Sequence, residues 1–210
     1  MKVTWIGHSC FKVESNGYTI VIDPYAAGSV PGLRPVNVTA DQVLCSHEHS
    51  DHNGRDEVSL TGREETESPF KVEILPTWHD EVHGAKRGNN RIFVISDGEQ
   101  RIAHFGDLGC DLTEEQMEAL KGLDVALIPV GGFYTIDGNQ AAEVIRALNP
   151  KIVIPMHFRD DQAGFGYGEI DTVKTFAEKM ESLTVVAEST IDTADQFGTQ
   201  VVVLQPLNNI

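Results

Sequence analysis

The order of predicted elements indicates an α/β protein in which two mixed β-sheets pack together and helices lie outside them. Strand-rich segments open and close the chain, and helical segments lie between them. A second observation concerns function, because a histidine or an aspartate follows an apolar strand at five places. These residues are Asp23, His47, His79, Asp107 and His157. If the strand ends share one edge of the sheets, the five side chains converge on one cleft.

Local sequence patterns support each element of this fold. The predicted strands are residues 3–6, 10–14, 18–22, 42–45, 70–75, 91–96, 101–105, 125–130, 152–156, 185–187 and 201–204. The predicted helices are residues 113–120, 139–148 and 172–180. Asn16-Gly17 predicts a tight hairpin turn between the second and third strands. Thr113 and Gln116 have the spacing of a capping box, which marks the start of the first helix.

Length and composition are those of an ordinary globular protein. The chain has 210 residues, of which 40% are hydrophobic and 23% charged, and we expect a single domain over residues 1–210. No stretch approaches the roughly 18 apolar residues of a membrane helix. The N-terminus lacks the apolar core of a signal peptide. Three cysteines in unlike contexts argue against a disulfide framework, so a cytoplasmic location is expected.

The charge balance limits the partners of the protein. With 16 Lys and Arg against 32 Asp and Glu, the net charge is −16, whereas a nucleic-acid-binding surface is basic. Nucleic acids and anionic membranes are therefore not expected partners. A small-molecule substrate is expected, and even an anionic one is compatible, because bound divalent ions make a site locally positive. The sequence is also compatible with a homo-oligomer.

One segment, residues 47–52, concentrates side chains that bind metals and reads His-Glu-His-Ser-Asp-His. Its four potential ligands are His47, His49, Asp51 and His52. Imidazole and carboxylate together suit zinc, iron or manganese, and catalytic zinc sites combine such ligands with an open position for water. We interpret the segment as a metal-binding loop rather than as a polar turn that happens to be rich in histidine.

Three later residues are candidates to complete a metal site. Asp107 lies in a Gly-Asp turn after a strand, and His157 follows a buried strand, although a lone histidine there is more often a packed core residue. The third candidate is His79. Its competitors in the nearby sequence are Asp80, His83 and His104. We prefer His79 because it ends a strand, whereas His104 lies within one and is expected to point into the sheet packing.

Four further residues are candidates for supporting roles. Asp23 either accepts the free N–H of a metal-bound imidazole or is a turn residue before proline. His8 contacts the substrate or Asp23, or is an ordinary loop histidine. Arg87 is a candidate anion clamp in a chain poor in positive charge, or it is a solvated loop residue. Tyr134 either faces the cleft or packs against neighbouring side chains.

These motifs resemble those of the metallo-β-lactamase-fold superfamily of metal-dependent hydrolases. The shared pattern comprises the His-x-His-x-Asp-His segment, an aspartate after an early strand, a later histidine, a Gly-Asp turn and a late histidine, here between residues 23 and 157. Shorter motifs at 7–9, 106–109 and 129–132 most resemble the small single-domain group related to ascorbate-6-phosphate lactonase. The resemblance implies a four-layer αβ/βα sandwich with the metals at one edge.

The resemblance also implies a role for each candidate ligand. One metal would be held by His47, His49 and His79, and a second by Asp51, His52 and His157, with Asp107 bridging them. A shared carboxylate holds two ions about 3.5–4 Å apart in two-metal hydrolases, and a hydroxide between them is available at neutral pH. Asp51 would also accept a proton or orient the nucleophile.

These implications favour a metal-dependent hydrolase with a binuclear centre, in which zinc is preferred over manganese and iron. The narrower likeness favours a lactone, including a phosphorylated one, as substrate, followed by a phosphodiester or another ester. A mononuclear iron oxidoreductase resembling the sulfur dioxygenases of the superfamily is an alternative, although a full set of ligands for two metals argues against it. A third hypothesis is a metal-binding or regulatory protein without turnover.

Overall fold

Most of the regular structure is β-strand. The computed structural model describes residues 1–209, apart from the side chain of Glu65. The strands are β1 (Lys2–Gly7), β2 (Cys10–Ser15), β3 (Tyr18–Ile22), β4 (Val38–Ala40), β5 (Gln42–Leu44), β6 (Val58–Leu60), β7 (Lys71–Trp78), β8 (Asn89–Ser96), β9 (Arg101–His104), β10 (Val125–Pro129), β11 (Ile152–Met156), β12 (Leu183–Val185), β13 (Thr190–Asp192) and β14 (Val201–Val203). The helices are α1 (Glu114–Ala119), α2 (Gly138–Leu148) and α3 (Lys174–Ala177), with 3₁₀ helices at Arg55–Glu57 and Glu65–Glu67. Within residues 1–209, no helix combines the length and apolar character needed to cross a membrane.

The strands form two large mixed sheets. The first has the order β13-β1-β2-β3-β5, in which the β3–β5 pair is parallel and the other pairs are antiparallel. The second has the order β12-β14-β11-β10-β9-β8-β7, which is parallel from β12 to β9 and antiparallel from β9 to β7. Strands β4 and β6 form a small separate pair, and α2 packs against β10 and α3. The predicted α/β fold of two mixed sheets is confirmed.

Strand direction explains why residues distant in sequence meet. In the first sheet β1, β3 and β5 point the same way, because two antiparallel steps separate β1 from β3 and β5 is parallel to β3. In the second sheet β7, β9 and β11 also share one direction, because two antiparallel steps separate β7 from β9 and the two steps from β9 to β11 are parallel. The side chains that follow these six strands are His8, Asp23, His47, His79, Asp107 and His157. Each sheet thus delivers three of them beyond the carboxyl ends of its strands.

Local signals in the sequence correctly located one hairpin turn and the start of the first helix. Asn16 and Gly17 both have positive φ, at 50° and 75°, and they join β2 to β3 as the hairpin prediction requires. The side chain of Thr113 accepts the N–H of Gln116 in a capping box at the start of α1. Helix α2 has a second capping box built on Asp137, so it begins at Gly138, one residue earlier than predicted.

The structure departs from the predicted elements where the elements are very short. Strands β4, β6 and β13 have three residues each and were not predicted, because three residues are too few to show an alternating pattern. Strand β12 lies at Leu183–Val185 instead of 185–187. The helix predicted over 172–180 is reduced to Lys174–Ala177, whose N-cap residue Val173 offers no side-chain hydrogen bond.

An aromatic cluster in the core supports the edge at which the six strands end. The ring of Trp5 lies 5.4 Å from that of Phe158 and 5.8 Å from that of Phe165, and all three are buried. The indole Nε1–H of Trp5 donates a 2.9 Å hydrogen bond to the carbonyl oxygen of His8. The core therefore fixes the backbone of a residue that reaches the candidate site.

Gly131 follows β10 at a point where the neighbouring backbone comes very close. A Cβ atom at this position would lie 2.1 Å from the carbonyl oxygen of His157, which cannot rotate away. We expect Gly131→Ala to displace His157 and to lower the free energy of unfolding by about 1–3 kcal/mol, measured by urea titration of the metal-free protein. The matched control is Gly168→Ala, where a Cβ meets nothing within 4 Å; equal losses in both variants would contradict the expectation.

Candidate metal centre

Asp107 lies at the centre of the site, and four imidazoles surround its carboxylate. Its Oδ2 atom is 3.2 Å from His79 Nε2, 3.3 Å from His157 Nε2 and 3.8 Å from His47 Nε2. Its Oδ1 atom is 3.1 Å from His52 Nε2. Burial raises the pKa of Asp107, but the imidazoles of His157 and His52 outweigh burial and hold the pKa well below its usual range. An ionised carboxylate thus faces histidines from both sheets.

Three groups of side chains bring their ligand atoms within 4.8 Å of one another. The groups are His47, His49 and His79; His47, His52 and Asp107; and His8, Asp51, His52 and His157. The middle group shares His47 with the first and His52 with the third, so Asp107 lies between two potential cation positions. The structure therefore brings all seven predicted ligands into one cluster, and it adds His8.

The distances between these atoms fit a divalent cation. Zinc with ligands at 2.0–2.1 Å in a tetrahedron has neighbouring ligand atoms about 3.3–3.4 Å apart. The distances from Asp107 to His79, His157 and His52 are 3.2, 3.3 and 3.1 Å. Within the described part of the chain, the Nε2 atom of His47 is buried without a hydrogen-bond partner. Because buried polar atoms normally have partners, this atom fits the role of a cation ligand.

Asp23 fixes the orientation of two candidate ligands, His47 and His52, on the Nδ1 side of their rings. Its Oδ2 accepts a 2.7 Å hydrogen bond from His52 Nδ1. The Ser46 hydroxyl donates to the same oxygen at 2.6 Å, and the Ser46 N–H donates to Oδ1 at 2.6 Å. Since the only hydroxyl proton of Ser46 is used, its oxygen accepts from His47 Nδ1 at 3.0 Å. Both imidazoles thereby direct Nε2 into the cluster, as metal-binding histidines require.

The protonation of the imidazoles suits a cation as well. Burial lowers the pKa of His47 to about 3 and also lowers that of His79. His52 differs: burial lowers its pKa, but the carboxylates of Asp107, Asp51 and Asp23 raise it well above the usual value. Without a metal, a proton on His52 partly balances the carboxylates. A cation can take the place of that proton and balance more of their charge.

His8 contacts Asp51 in the structure, whereas the sequence left open a contact with Asp23. Its Nε2 lies 3.3 Å from Asp51 Oδ2, and both oxygens of Asp23 are occupied by Ser46 and His52. Burial and the neighbouring His157 lower the pKa of His8 to about 4, so its ring is neutral at pH 7. His8 is thus placed among the candidate ligands and not behind them.

The competitors of His79 have other surroundings. His104 lies within β9, where its Nε2 is 2.8 Å from the carbonyl oxygen of Ser9 and its Nδ1 accepts the N–H of Gly106. His83 is exposed. Asp80 anchors the loop that carries Arg87. Its carboxylate accepts four backbone N–H groups, from Val82, Gly84, Lys86 and Arg87, at 3.0, 2.8, 2.9 and 2.7 Å.

Asn90 is a supporting residue that the sequence did not reveal. Its Oδ1 accepts the N–H of Asp107 at 2.9 Å. Its Nδ2 donates to Thr77 Oγ1 at 2.8 Å and to the carbonyl oxygen of Phe105 at 2.9 Å. The buried amide thereby holds the turn that presents Asp107. Neither Asn90 nor Ser46 lies in a motif that distinguishes it from other polar residues, so spacing alone does not identify them.

A row of side chains lines the approach to the cluster. The guanidinium carbon of Arg87 lies 5.6 Å from the centre of the Tyr134 ring, within the range of a cation–π contact. The Tyr134 ring is 6.0 Å from that of Tyr167, which in turn is 5.6 Å from the ring of His8. Tyr167 was not predicted; its hydroxyl donates to the carbonyl oxygen of Ser29 at 2.8 Å, and burial and Asp51 raise its pKa well above the usual value.

Replacing Asp23 by asparagine tests the support behind His47 and His52. The amide keeps the size of the side chain but removes the negative charge that both imidazoles use, directly or through Ser46. We expect Asp23→Asn to weaken zinc binding by about 10–100-fold, measured by competition with a chromophoric chelator. Asp41→Asn, at a carboxylate bonded to Thr19 and Thr61, is the control. Unchanged zinc affinity in Asp23→Asn would refute this support.

Comparisons with known proteins agree with this geometry. The model of the β-lactamase superfamily domain matches residues 2–157. A UPF0173 metal-dependent hydrolase from Pelotomaculum thermopropionicum is 32% identical over 194 residues, which cover 75% of this chain and 84% of that protein. A crystal structure described as a Zn-dependent hydrolase of the metallo-β-lactamase superfamily, from Thermotoga maritima, is 31% identical with a TM-score of 0.75, and 97% of each chain is covered.

A more distant structure shows how widely the fold is shared. A metallo hydrolase from Ignicoccus hospitalis is 22% identical and has a TM-score of 0.65, with 91% of this chain and 98% of that chain covered. This likeness concerns the fold alone. The family match over residues 2–157 and the relatives above 30% identity carry the assignment. With its cluster of histidines and aspartates, the chain belongs to the metallo-β-lactamase-fold superfamily of metal-dependent hydrolases.

Proposed function

We propose that the protein uses a binuclear zinc centre to hydrolyse a small anionic lactone or ester. The observation that carries the proposal is the division of the cluster into two ligand groups joined through a third, which contains Asp107. Two bound divalent ions would polarise the scissile carbonyl and lower the pKa of a water molecule, so that it attacks at neutral pH. The narrower sequence likeness to lactonases supports a lactone as the substrate.

In this proposal the ligands divide as the resemblance to the superfamily implies. His47, His49 and His79 would hold the first ion, Asp51, His52 and His157 would hold the second, and Asp107 would lie between them. Asp51 also has a catalytic role, because its side chain is 16% exposed and reaches the cleft, whereas that of Asp107 is 2% exposed. Burial raises the pKa of Asp51, but His52 and His8 hold it below its usual range. Asp51 Oδ2 is thus available to accept a proton or orient the nucleophile.

An adjoining pocket supports an anionic substrate. Its volume is about 320 Å³, and its walls include His47, His49, Arg87 and Arg91. Neither arginine forms an ion pair with the described residues, although Arg91 donates a hydrogen bond to the carbonyl oxygen of Cys45. Glu48 also lines the pocket, but its carboxylate accepts a hydrogen bond from Asn53. A carboxylate or phosphate group on the substrate would pair with the arginines.

Asp107→Ala tests the metal-dependent reaction. Metal-free protein is loaded with zinc or manganese and assayed on lactones, carboxylic esters, thioesters and phosphodiesters. We expect one of the first two classes to be hydrolysed. Asp107→Ala removes the carboxylate shared by the two ligand groups, so its rate should fall by more than the roughly 10–100-fold typical of a lost supporting residue. His83→Ala, at an exposed histidine, should retain the wild-type rate.

The same assay distinguishes the other functions. Faster turnover of phosphodiesters than of lactones and esters would replace the proposed substrate class. One iron per chain, with oxygen consumption on a persulfide substrate, would replace the hydrolase mechanism by the mononuclear iron alternative. The absence of a metal-dependent rate on any class would favour a metal-binding protein without turnover. Metal analysis of protein purified without added metals accompanies the assay.

Arg87→Gln tests the anion contact. The substitution removes the charge but preserves most of the side chain, so it should raise KM for a carboxylated or phosphorylated substrate. A hydrogen bond to a charged group contributes about 1.5–3 kcal/mol, which corresponds to an increase of roughly 10–150-fold. The rate on a neutral ester should change little. Arg63→Gln, whose guanidinium donates to the carbonyl oxygen of Gly17, is the control, and equal effects on charged and neutral substrates would disprove the contact.

A further inference from the structure

We propose that His8 is a fourth protein ligand of the second metal, beside Asp51, His52 and His157. This inference rests on the two-ion centre proposed above and concerns a residue that the superfamily motifs do not place among the ligands. It makes the two metal positions unequal, with three protein ligands at the first and four at the second, not counting Asp107.

The positions of the ligand atoms carry the inference. The candidate atoms of His8, Asp51, His52 and His157 all lie within 4.8 Å of one another, so one cation can reach all four. His8 Nε2 is 3.3 Å from Asp51 Oδ2. This distance is longer than the usual 2.7–3.2 Å of an N–H···O hydrogen bond. It agrees with the roughly 3.3–3.4 Å between neighbouring ligands of a tetrahedral zinc ion.

Apart from the contact with Asp51, the His8 ring has no hydrogen-bond partner among the described residues. The side chain is fully buried, and within the described residues its Nδ1 has no hydrogen-bond partner. The Nδ1 atoms of His79 and His157, which the superfamily motif does assign as ligands, are also buried without partners. The ring of His8 lies 4.2 Å from that of His157 and 5.5 Å from that of His52. His8 therefore resembles the assigned ligands in its surroundings.

The backbone holds His8 in a strained conformation that directs the ring into the cluster. Its φ is 53°, in the left-handed region, and seven non-glycine residues of the described chain have a positive φ. Three of the seven belong to this site: His8, Asp23 and His157. The carbonyl oxygen of His8 accepts hydrogen bonds from Trp5 Nε1 at 2.9 Å and from the N–H of His157 at 3.4 Å. Strain of this kind persists where the surroundings enforce it, typically at ligand sites.

A fourth ligand changes the expected behaviour of the second ion. Since Asp107 is shared, the second ion would have one more protein ligand than the first, and zinc held by more protein ligands is retained more firmly, whereas catalytic sites keep a position for water or substrate. The second ion should therefore bind more tightly and leave more slowly than the first. The first ion, which His47, His49 and His79 would hold next to the arginine pocket, should be the more accessible of the two, because His49 is exposed.

Zinc release measures this difference directly. The zinc-loaded protein is mixed with the chromophoric chelator 4-(2-pyridylazo)resorcinol, and release is followed over time. We expect two zinc ions per chain, released in a fast and a slow phase. His8→Gln can still donate a hydrogen bond to Asp51 but replaces the imidazole, so the slow phase should accelerate by more than about 10-fold. His83→Gln, at an exposed histidine, should release zinc as the wild type does.

The outcomes separate this inference from the proposed function. Two ions per chain with an unchanged slow phase in His8→Gln would overturn ligation by His8 and leave the two-ion centre intact. Fewer than two ions per wild-type chain would overturn both.

A measurement on the unmodified protein guards against misfolding of the variant. With ¹⁵N-labelled histidine, the Nε2 resonance of His8 should move on zinc titration together with those of His52 and His157, and should lose any attached proton. Retention of an N–H at His8 Nε2 in the zinc-loaded protein would refute ligation by this residue.

Discussion

The burial of three carboxylates in one small volume is the constraint on which the rest of the site depends. Asp23 and Asp107 are almost completely buried, and Asp51 is only partly exposed. Burial of an ionised carboxylate is very unfavourable unless charges and hydrogen bonds compensate it. Here the compensation comes from imidazoles, and His52 lies within 4 Å of all three carboxylates. Since burial lowers the pKa of His8 and His47, positive charge is scarce, and cations would supply it.

Both sheets supply side chains to this charged cluster. The first sheet delivers His8, Asp23 and the 47–52 segment, and the second delivers His79, Asp107 and His157. The ligand group that contains Asp107 draws on both sheets. Asp107 follows a strand of the second sheet, whereas its partners His47 and His52 follow a strand of the first. The site is therefore a property of the contact between the sheets. The buried rings of Trp5 in β1, Phe11 in β2 and Phe158 after β11 lie close together and support that contact.

The two halves of the cluster differ in their access to solvent. His49 of the first half is exposed, and the arginine pocket adjoins it. The second half is enclosed by His8, which is fully buried, and by Tyr167, whose hydroxyl is bound to Ser29. Asp80 keeps the loop of Arg87 in place beside the open half. Access on one side and enclosure on the other agree with the proposed centre, in which one ion is reactive and the other firmly held.

The sequence by itself determined the types of the candidate ligands, the strand ends that carry them and the local turns. These features depend on neighbouring residues, as in the 47–52 segment, the Asn16-Gly17 turn and the capping box of Thr113. Tertiary structure alone decided that His8 meets Asp51, that Ser46 links Asp23 to His47, and that Asn90 holds Asp107. Contacts such as His8–Asp51, between residues 43 positions apart, arise from strand order and sheet packing. Local patterns do not encode that order, and strands of three residues leave hardly any pattern to detect.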